Sequence, residues 1–340
     1  MQIKRLVIEN FKSIERIELI EPNPFTVFVG PNGSGKSNIF EALEFITRAF
    51  QTSSFEAVRL HGGPDKLRNR RVEESEDLLI RYEFEPSLDY TSAELSIEFE
   101  GNKWSSSSKG LSGKRADELG IGTADRGEAS VFFEDYSTQF FNRHRRIFIK
   151  NTSLLRTSYQ DDVALNFAAT NLEPVLKRLL TNDLLREEIF EWLDLFVPGF
   201  KAVEVDDRDE LHWFEEGNDR YFTKDLISDG TYSILALLTA IYQSDEPQFL
   251  CIEEPENGLH PQVQMTLVEF FRKVCQEKSH YIWLNTHSEA IVRKLTTDEI
   301  VLVDKVDGIT KTKQTKGKNI YDLPTDEAWL TGMLGGGLPW

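Results

Sequence analysis

Phe25-Thr-Val-Phe-Val-Gly-Pro-Asn-Gly-Ser-Gly-Lys-Ser37 is a strand-like run of five residues that leads into a glycine-rich turn. An apolar pattern with helical spacing follows, formed by Ile39, Phe40, Leu43 and Ile46. The GxxxxGK[ST] pattern of a phosphate-binding loop is satisfied by Gly30, Gly35, Lys36 and Ser37. The stretch therefore predicts a strand, a phosphate loop and a helix in succession.

Each residue type in this loop has a chemical reason. Glycines let the backbone curl so that its N–H groups face a β-phosphate at the positive end of the following helix. Lys36 would reach the β- and γ-phosphates, and Ser37 would hold Mg²⁺ through its hydroxyl. The other loop residues expected at the nucleotide are Asn32, Gly33, Ser34 and Asn38. The alternative is a glycine-rich turn that binds nothing.

Composition restricts the class of protein. The chain has 340 residues, enough for one large or two ordinary domains, and 40% of them are hydrophobic. Lys plus Arg number 39 against 57 Asp plus Glu, a net charge of −18, which argues against binding duplex DNA over the whole surface. Local basic clusters lie at residues 66–71, 143–146 and 311–318.

The chain shows no apolar run of membrane-spanning length and no signal-peptide core at its start. Its two cysteines, Cys251 and Cys275, cannot build a disulfide framework. We therefore expect a cytoplasmic protein without a membrane partner.

A second decisive stretch is Phe249-Leu-Cys-Ile-Glu-Glu-Pro-Glu-Asn-Gly-Leu-His-Pro261, an apolar strand that ends in two adjacent carboxylates. Neighbouring residues of a strand point to opposite sides, so one acid can hold Mg²⁺ while the next faces the γ-phosphate. We expect Glu253 to bind the metal and Glu254 to be the general base that activates the attacking water. Two acids that merely cap a buried strand are the alternative.

Two shorter motifs accompany these stretches. Leu226-Ile-Ser-Asp-Gly-Thr231 precedes an apolar helical run, and a Ser and a Gly at a helix N-terminus form an anion site, here for a phosphate of another subunit. A further strand, Tyr281–Leu284, leads to His287, which we expect to sense the γ-phosphate from the same sheet edge. A plain helix cap and a structural histidine are the respective alternatives.

The order of these motifs resembles that of the ABC-type ATPases. Within that class it is most similar to the branch that holds SMC-like and RecF-like proteins and the ATPase half of OLD-family nucleases. Asn10-Phe-Lys-Ser13 resembles the N-terminal signature of this branch, and Ser-Asp-Gly-Thr followed by Glu-Glu-Pro-Glu-Asn-Gly-Leu-His-Pro is typical of its short prokaryotic members. The resemblance covers about residues 1–50 and 225–305.

The expected fold is therefore of the α/β class: a P-loop NTPase with an ABC-type ATPase head built on a mixed sheet. Residues 1–50 and 225–305 would form a single head within 1–340. A β-rich appendage would occupy 51–160, with a mobile loop at 101–128. A helical and short-strand subdomain would follow at 161–224, and 306–340 would be a C-terminal tail.

The resemblance also implies roles for residues. Ser228 and Gly230 would contact the γ-phosphate held by the other subunit, and Lys12 and Ser13 would lie near the nucleotide. Residues 258–260 would be the loop that links the two sites. The implied function is ATP hydrolysis, with ATP and Mg²⁺ as cofactors, in a homodimer that ATP closes and hydrolysis opens. The implied context is DNA repair or defence against phage and plasmids, with nucleic acid as a possible further ligand.

Two other classes of function remain open. A transporter subunit would carry a glycine where this signature has Asp229, and a scaffold that binds ATP without hydrolysing it would not need Glu254. OLD-family proteins carry a Toprim nuclease after such a head, so a separate Toprim-type nuclease or other effector is the expected partner. The tail Leu330–Trp340 would offer it an apolar surface, or else would fold back onto its own head.

Overall fold

The computed structural model describes residues 2–71, 76–87, 90–100, 103–111, 140–149 and 161–338. The chain divides into two compact units. The first comprises Met1–His144 together with Thr296–Trp340, and the second is Arg145–Leu295.

The first unit is built on a mixed sheet. Its strands β1–β3 are Ile3–Phe11, Ile14–Ile20 and Phe25–Val29, and the last of these is the strand predicted before the phosphate loop. A C-terminal hairpin of β12 (Ile300–Val306) and β13 (Ile309–Gln314) joins the same sheet. Strand β12 pairs in parallel with β3, and β13 meets β2. All five residues of β3 are buried, which explains its uninterrupted run of apolar and β-branched side chains.

An antiparallel meander extends this sheet beyond β1. It consists of β4 (Leu78–Ser87), β5 (Tyr90–Glu100) and β6 (Lys103–Leu111), in the order β6-β5-β4-β1. The mobile loop predicted for 101–128 is wrong for residues 103–111, because polar serines on β6 pair with β5. The rest of the predicted loop, residues 112–128, lies outside the described residues.

Helix α1 (Lys36–Gln51) follows β3 after the glycine-rich loop, and its predicted apolar positions are all buried. Two short helices, α2 (Ser54–Leu60) and α3 (Pro64–Leu67), lie within 51–160, for which the sequence predicted a β-rich appendage. Ser53 caps α2 by accepting a hydrogen bond from the Glu56 N–H, a local signal that the prediction overlooked.

The second unit has its own parallel pair, β10 (Phe249–Glu253) and β11 (Tyr281–Thr286), with β7 (His144–Ile147) beside β10. Helices α4 (Leu172–Leu180) and α5 (Asp183–Phe196) precede a small hairpin of β8 (Phe200–Val205) and β9 (Leu211–Glu215). Helices α6 (Asp229–Tyr242), α7 (Pro261–Glu277) and α8 (Glu289–Arg293) complete the unit.

Residues 306–340, predicted as a tail, contain strand β13 and helix α9 (Thr325–Leu330). Leu334 is buried, and the indole of Trp329 donates to the Gly337 carbonyl at 2.6 Å. The segment as far as Leu338 thus folds back onto its own unit, which is the second of the two arrangements expected for it. Among the described residues, no helix combines the length and the apolar character needed to cross a bilayer.

Candidate nucleotide site

The phosphate loop lies between β3 and α1 and is curled around the Lys36 side chain. The Lys36 ammonium is buried and donates to the carbonyls of Gly30 at 2.7 Å and Pro31 at 3.0 Å. Two backbone hydrogen bonds close turns within the loop: the Ser34 N–H donates to the Pro31 carbonyl, and the Asn38 N–H donates to the Gly35 carbonyl. The cation is therefore held inside the loop on carbonyl oxygens.

Packing explains two of the glycines. A Cβ atom on Gly30 would lie 2.1 Å from the Val303 carbonyl oxygen, and one on Gly35 would lie 2.0 Å from Oγ1 of Thr310. Gly35 also has a φ of 105°, a conformation that only glycine adopts without strain. The hairpin β12–β13 thus presses directly against the loop and leaves no room for a side chain there.

A chain of hydroxyl groups fixes the loop from this side. Thr310 is fully buried and donates from Oγ1 to the Ser34 carbonyl at 2.9 Å, while its Oγ1 lies 2.6 Å from Oγ of Ser13. Asn38 donates from Nδ2 to the same Ser13 oxygen at 2.6 Å. The structure therefore places Ser13 at the loop, and it adds Thr310, which no local pattern in the sequence distinguishes.

Lys12 and Ser13 also line a cavity of about 630 Å³. Its other cationic side chains are Lys66, Arg68, Arg70, Arg71 and Lys305. The Lys12 ammonium forms an ion pair with Glu41 of α1. In a chain of net charge −18 this is a strong local excess of positive charge, so the first unit attracts anions next to the phosphate loop.

The loop residues fit the phosphates of a nucleoside triphosphate. The N–H groups at the start of α1, the Lys36 cation and a serine hydroxyl are the donors that phosphates need. Oγ of Ser34 is buried without a hydrogen-bond partner among the described residues, as a donor reserved for a ligand would be. The side chains of Asn32 and Ser37 and the backbone at Gly33 are solvent exposed and accessible to a ligand.

The acidic cluster of the second unit lies where β10 and β11 end side by side. Glu254 has a φ of 45°, and its N–H donates to both the backbone oxygen and the Oδ1 of Asn285, at 3.1 and 2.9 Å. Its carboxylate accepts from Nδ2 of Asn257 at 3.1 Å. A left-handed backbone held by two hydrogen bonds thus turns the Glu254 carboxylate away from the strand direction.

His287 lies beside this carboxylate. Its Nδ1 is 3.8 Å from Oε1 of Glu254 and 3.6 Å from Oε1 of Glu256. The same Glu256 oxygen accepts from Oγ1 of Thr286 at 2.6 Å and from the His287 N–H at 3.2 Å. The structure therefore brings the predicted base and the predicted sensor together, and it adds Glu256 as the group that ties them.

Burial raises the pKa of the Glu256 carboxyl group above its ordinary value, while the bonds from Thr286 and His287 oppose the rise. Its Oε2 is buried without a partner among the described residues. Glu256 is thus enclosed, and its Oε1 is held by Thr286 and His287. The position of the Glu256 carboxyl group favours a role in orienting His287.

Glu253, the predicted metal ligand, is paired with an arginine. Its Oε1 accepts from Nε of Arg146 at 2.6 Å and from Nη2 at 2.5 Å. In the sequence, Arg146 stands out only as part of a basic cluster. No spacing rule connects it to Glu253, because 107 residues separate the two.

The signature region begins helix α6, and its exposed Ser228 is the N-cap, with Oγ accepting from the Thr231 N–H at 3.0 Å. A Cβ atom on Gly230 would lie 2.6 Å from the Gly258 carbonyl oxygen. Gly230 thus allows the start of α6 to pack on the loop that follows Glu254. This loop continues to His260, whose Nδ1 caps α7.

Residues 25–293 match the family described as AAA domain, putative AbiEii toxin, Type IV TA system. The chain belongs to this family. Its matched region runs from the phosphate-loop strand to helix α8, so both groups of site residues fall within it.

Shorter stretches of this AbiEii-type AAA protein are similar to curated proteins. A segment of 60 residues is 40% identical to the chromosome partition protein Smc of Methanocaldococcus jannaschii, and 76 residues are 36% identical to the DNA replication and repair protein RecF of Mannheimia succiniciproducens. These segments are 18% and 22% of this chain but only 5% and 21% of the relatives. The chain thus spans a small part of each relative.

Solved structures confirm the fold. The SMC head domain from Thermotoga maritima matches with a TM-score of 0.54 at 14% identity, over 92% of this chain and 99% of that one. An SmcHead bound to the C-winged helix domain of ScpA matches with a TM-score of 0.58 at 16% identity, over 92% and 97%. The predicted fold class and the SMC/RecF-like resemblance are both confirmed.

Proposed function

We propose that this AbiEii-type AAA protein binds and hydrolyses ATP and uses the cycle as a conformational switch. The phosphate loop carries the proposal. Its buried Lys36, its two glycines in contact with the β12–β13 hairpin and its Ser34 hydroxyl, which has no partner among the described residues, are the features of a loop shaped for phosphates.

In this proposal the backbone N–H groups of the loop and Lys36 hold the phosphates, and Ser37 and Glu253 hold the metal. When bound, Mg²⁺ supplies neutralisation of the phosphate charge. Glu254 orients the attacking water and takes its proton, and His287 contacts the γ-phosphate. The 3.8 Å between His287 Nδ1 and Glu254 Oε1 supports a joint role for the two.

The switch would be a homodimer in which Ser228 and Gly230 of one copy complete the site of the other. Contact between Gly230 and the Gly258 carbonyl supports this, because it links the signature to the loop that follows the base. The family description names a toxin of a type IV toxin–antitoxin system, which favours a defence context over repair. A separate effector, of the Toprim nuclease type or another kind, would then carry the output. The similar SmcHead is bound to a domain of ScpA, and this supports a separate protein partner.

The test is ATP binding and steady-state hydrolysis by purified protein. Lys36→Ala should abolish measurable ATP binding, because the cation at the β- and γ-phosphates is lost. Glu254→Gln should bind ATP like the wild type but hydrolyse it about 10²- to 10⁴-fold more slowly. Two exposed positions, Lys311→Ala and Glu277→Gln, are matched controls that should change neither property.

Wild-type protein that binds no ATP would refute the proposal. Undiminished turnover in Glu254→Gln would remove Glu254 from the role of base.

A further inference from the structure

The ion pair between Arg146 and Glu253 lies inside the second unit, and its significance depends on the proposed function, in which Glu253 is a metal ligand. The Glu253 side chain is 6% exposed and that of Arg146 is 12% exposed. The Arg146 guanidinium also lies over the Phe167 ring, 5.0 Å from its centroid. Two hydrogen bonds and a ring contact therefore fix this cation in one place.

Both hydrogen bonds end on one atom, Oε1 of Glu253. A carboxylate this deeply buried requires a compensating charge, and Arg146 supplies it. A divalent cation bound at the same carboxylate would lie close to the guanidinium, and the two positive charges would repel each other in a medium of low dielectric. Arg146 and the metal thus compete for Glu253.

We propose that Arg146 is a positioning residue that holds the Glu253 carboxylate in one orientation, and that weakens metal binding unless nucleotide phosphates supply further negative charge. The metal would then enter together with ATP, and the acidic cluster of Glu253 and Glu254 would bind free divalent cations only weakly. Glu254 alone does not offset Arg146, because its carboxylate is turned toward Asn257 and His287.

The adjacent Arg145 provides a contrast on the same strand. Burial lowers the pKa of its guanidinium, and Asp161 is the acid that opposes this shift. Arg145 thus has the same charge and a neighbouring backbone position but a different acidic neighbour. It is the matched control for Arg146.

The experiment measures binding of Mn²⁺, by calorimetry and by electron paramagnetic resonance, to protein freed of nucleotide. Arg146→Gln should lower the Kd for Mn²⁺ by about tenfold or more, because the repulsion between the guanidinium charge and a divalent cation is removed. Arg145→Gln should leave the Kd at the wild-type value. The double variant Arg146→Gln, Glu253→Gln should not show this tighter Mn²⁺ binding, since the carboxylate that binds the metal is gone.

An unchanged Kd in Arg146→Gln, or a gain that persists in the double variant, would overturn the proposal. Melting supplies a second test: Mn²⁺ alone should not raise the melting temperature of the wild type, and a clear rise that is lost in Glu253→Gln would also overturn the proposal. The comparison with Glu253→Gln separates this site from Asp206, Glu210 and His212, whose ligand atoms lie close enough together to hold an ion. ATP binding by the wild type is measured in parallel. If the wild type binds no ATP, the proposed function is refuted. If it binds ATP normally but the Kd for Mn²⁺ is unchanged in Arg146→Gln, only the role of Arg146 is refuted.

Discussion

Nδ1 of His287 lies 3.6 Å from Oε1 of Glu256, a carboxyl group whose side chain is only 6% exposed. The same oxygen accepts the hydroxyl of Thr286 and the N–H of His287, so one buried acid fixes both the ring and the backbone of the proposed sensor. Burial favours the protonated form of this acid and raises its pKa above the ordinary value. The position of His287 is therefore linked to an acid whose pKa burial raises.

The first prediction concerns the pH dependence of stability. A carboxyl group whose pKa is higher in the folded protein than in the unfolded chain stabilises the fold fully below the unfolded pKa. That contribution is lost as the pH rises through the folded pKa. Wild-type protein should therefore lose stability relative to Glu256→Gln as the pH rises above 4.5, since the amide stays neutral. Melting temperatures of both proteins across this range measure the difference.

The exposed variant Glu269→Gln is the control for that experiment, and its difference from the wild type should not follow the same course. Parallel curves for the wild type and Glu256→Gln would show that Glu256 has an ordinary pKa. The account of Glu256 as a buried anchor of His287 with a raised pKa would then be wrong.

The second prediction concerns Thr310, whose hydroxyl joins Ser13 to the Ser34 carbonyl. Thr310→Val keeps the shape but leaves buried polar groups unpaired, at a cost of about 1–3 kcal/mol for each group. We expect a lower melting temperature and about tenfold weaker ATP binding, because the phosphate loop loses a support. Calorimetric titration with ATP measures the second effect.

Thr310→Ser should behave like the wild type, since it keeps the hydroxyl. Thr312→Val, a second threonine-to-valine change on strand β13, controls for the altered strand and should leave ATP affinity unchanged. Equal affinities for Thr310→Val and the wild type would mean that the hydroxyl chain does not shape the loop.

The sequence predicted the parts of the site that are contiguous, and the reason is physical. Lys36 and its glycines are positioned by their immediate neighbours in the chain. A short sequence pattern therefore contains all the residues of the phosphate loop. Thr310 and Arg146 act through contacts that span 297 and 107 residues, and only the folded sheet brings such partners together. Strand β6 was missed because its serines carry no apolar alternation, although its pairing with β5 is regular.

The third prediction concerns assembly through the exposed Ser228. Glu254→Gln with ATP and Mg²⁺ should form a dimer of doubled mass in light scattering, because a slow hydrolysis step holds the closed state. Adding Ser228→Arg should prevent this while leaving ATP affinity nearly intact, since a large cation would block the partner's site.

Ser228→Arg also removes a helix cap, which alone costs about 1 kcal/mol. Ser53→Arg, added to Glu254→Gln in the same way, removes the equivalent cap of α2 and should leave the ATP-dependent dimer intact. If the mass of Glu254→Gln is the same with and without ATP, the model of a site shared between two copies fails.

The fourth prediction concerns the C-terminal segment, where the Trp329 indole donates to the Gly337 carbonyl and the Gly337 N–H donates to Oδ1 of Asp304 at 2.7 Å. A Cβ atom on Gly337 would lie 2.8 Å from the carbonyl oxygen of Val29, the last residue of the strand before the phosphate loop. Deleting Gly335–Trp340 would leave the fully buried Trp329 donor unpaired, at a cost of about 1–3 kcal/mol.

We therefore expect the truncated protein to melt several degrees lower and to bind ATP more weakly, because the segment supports the strand that carries the loop. Asp304→Asn is the conservative control, since its amide oxygen can still accept from Gly337 and its melting temperature should stay close to that of the wild type. Pull-down from the native host distinguishes a segment that stabilises its own unit from a segment that binds another protein. If the truncated protein melts and binds ATP like the wild type but no longer recovers an associated protein, the segment is a docking surface. Its packing would then not stabilise the phosphate loop.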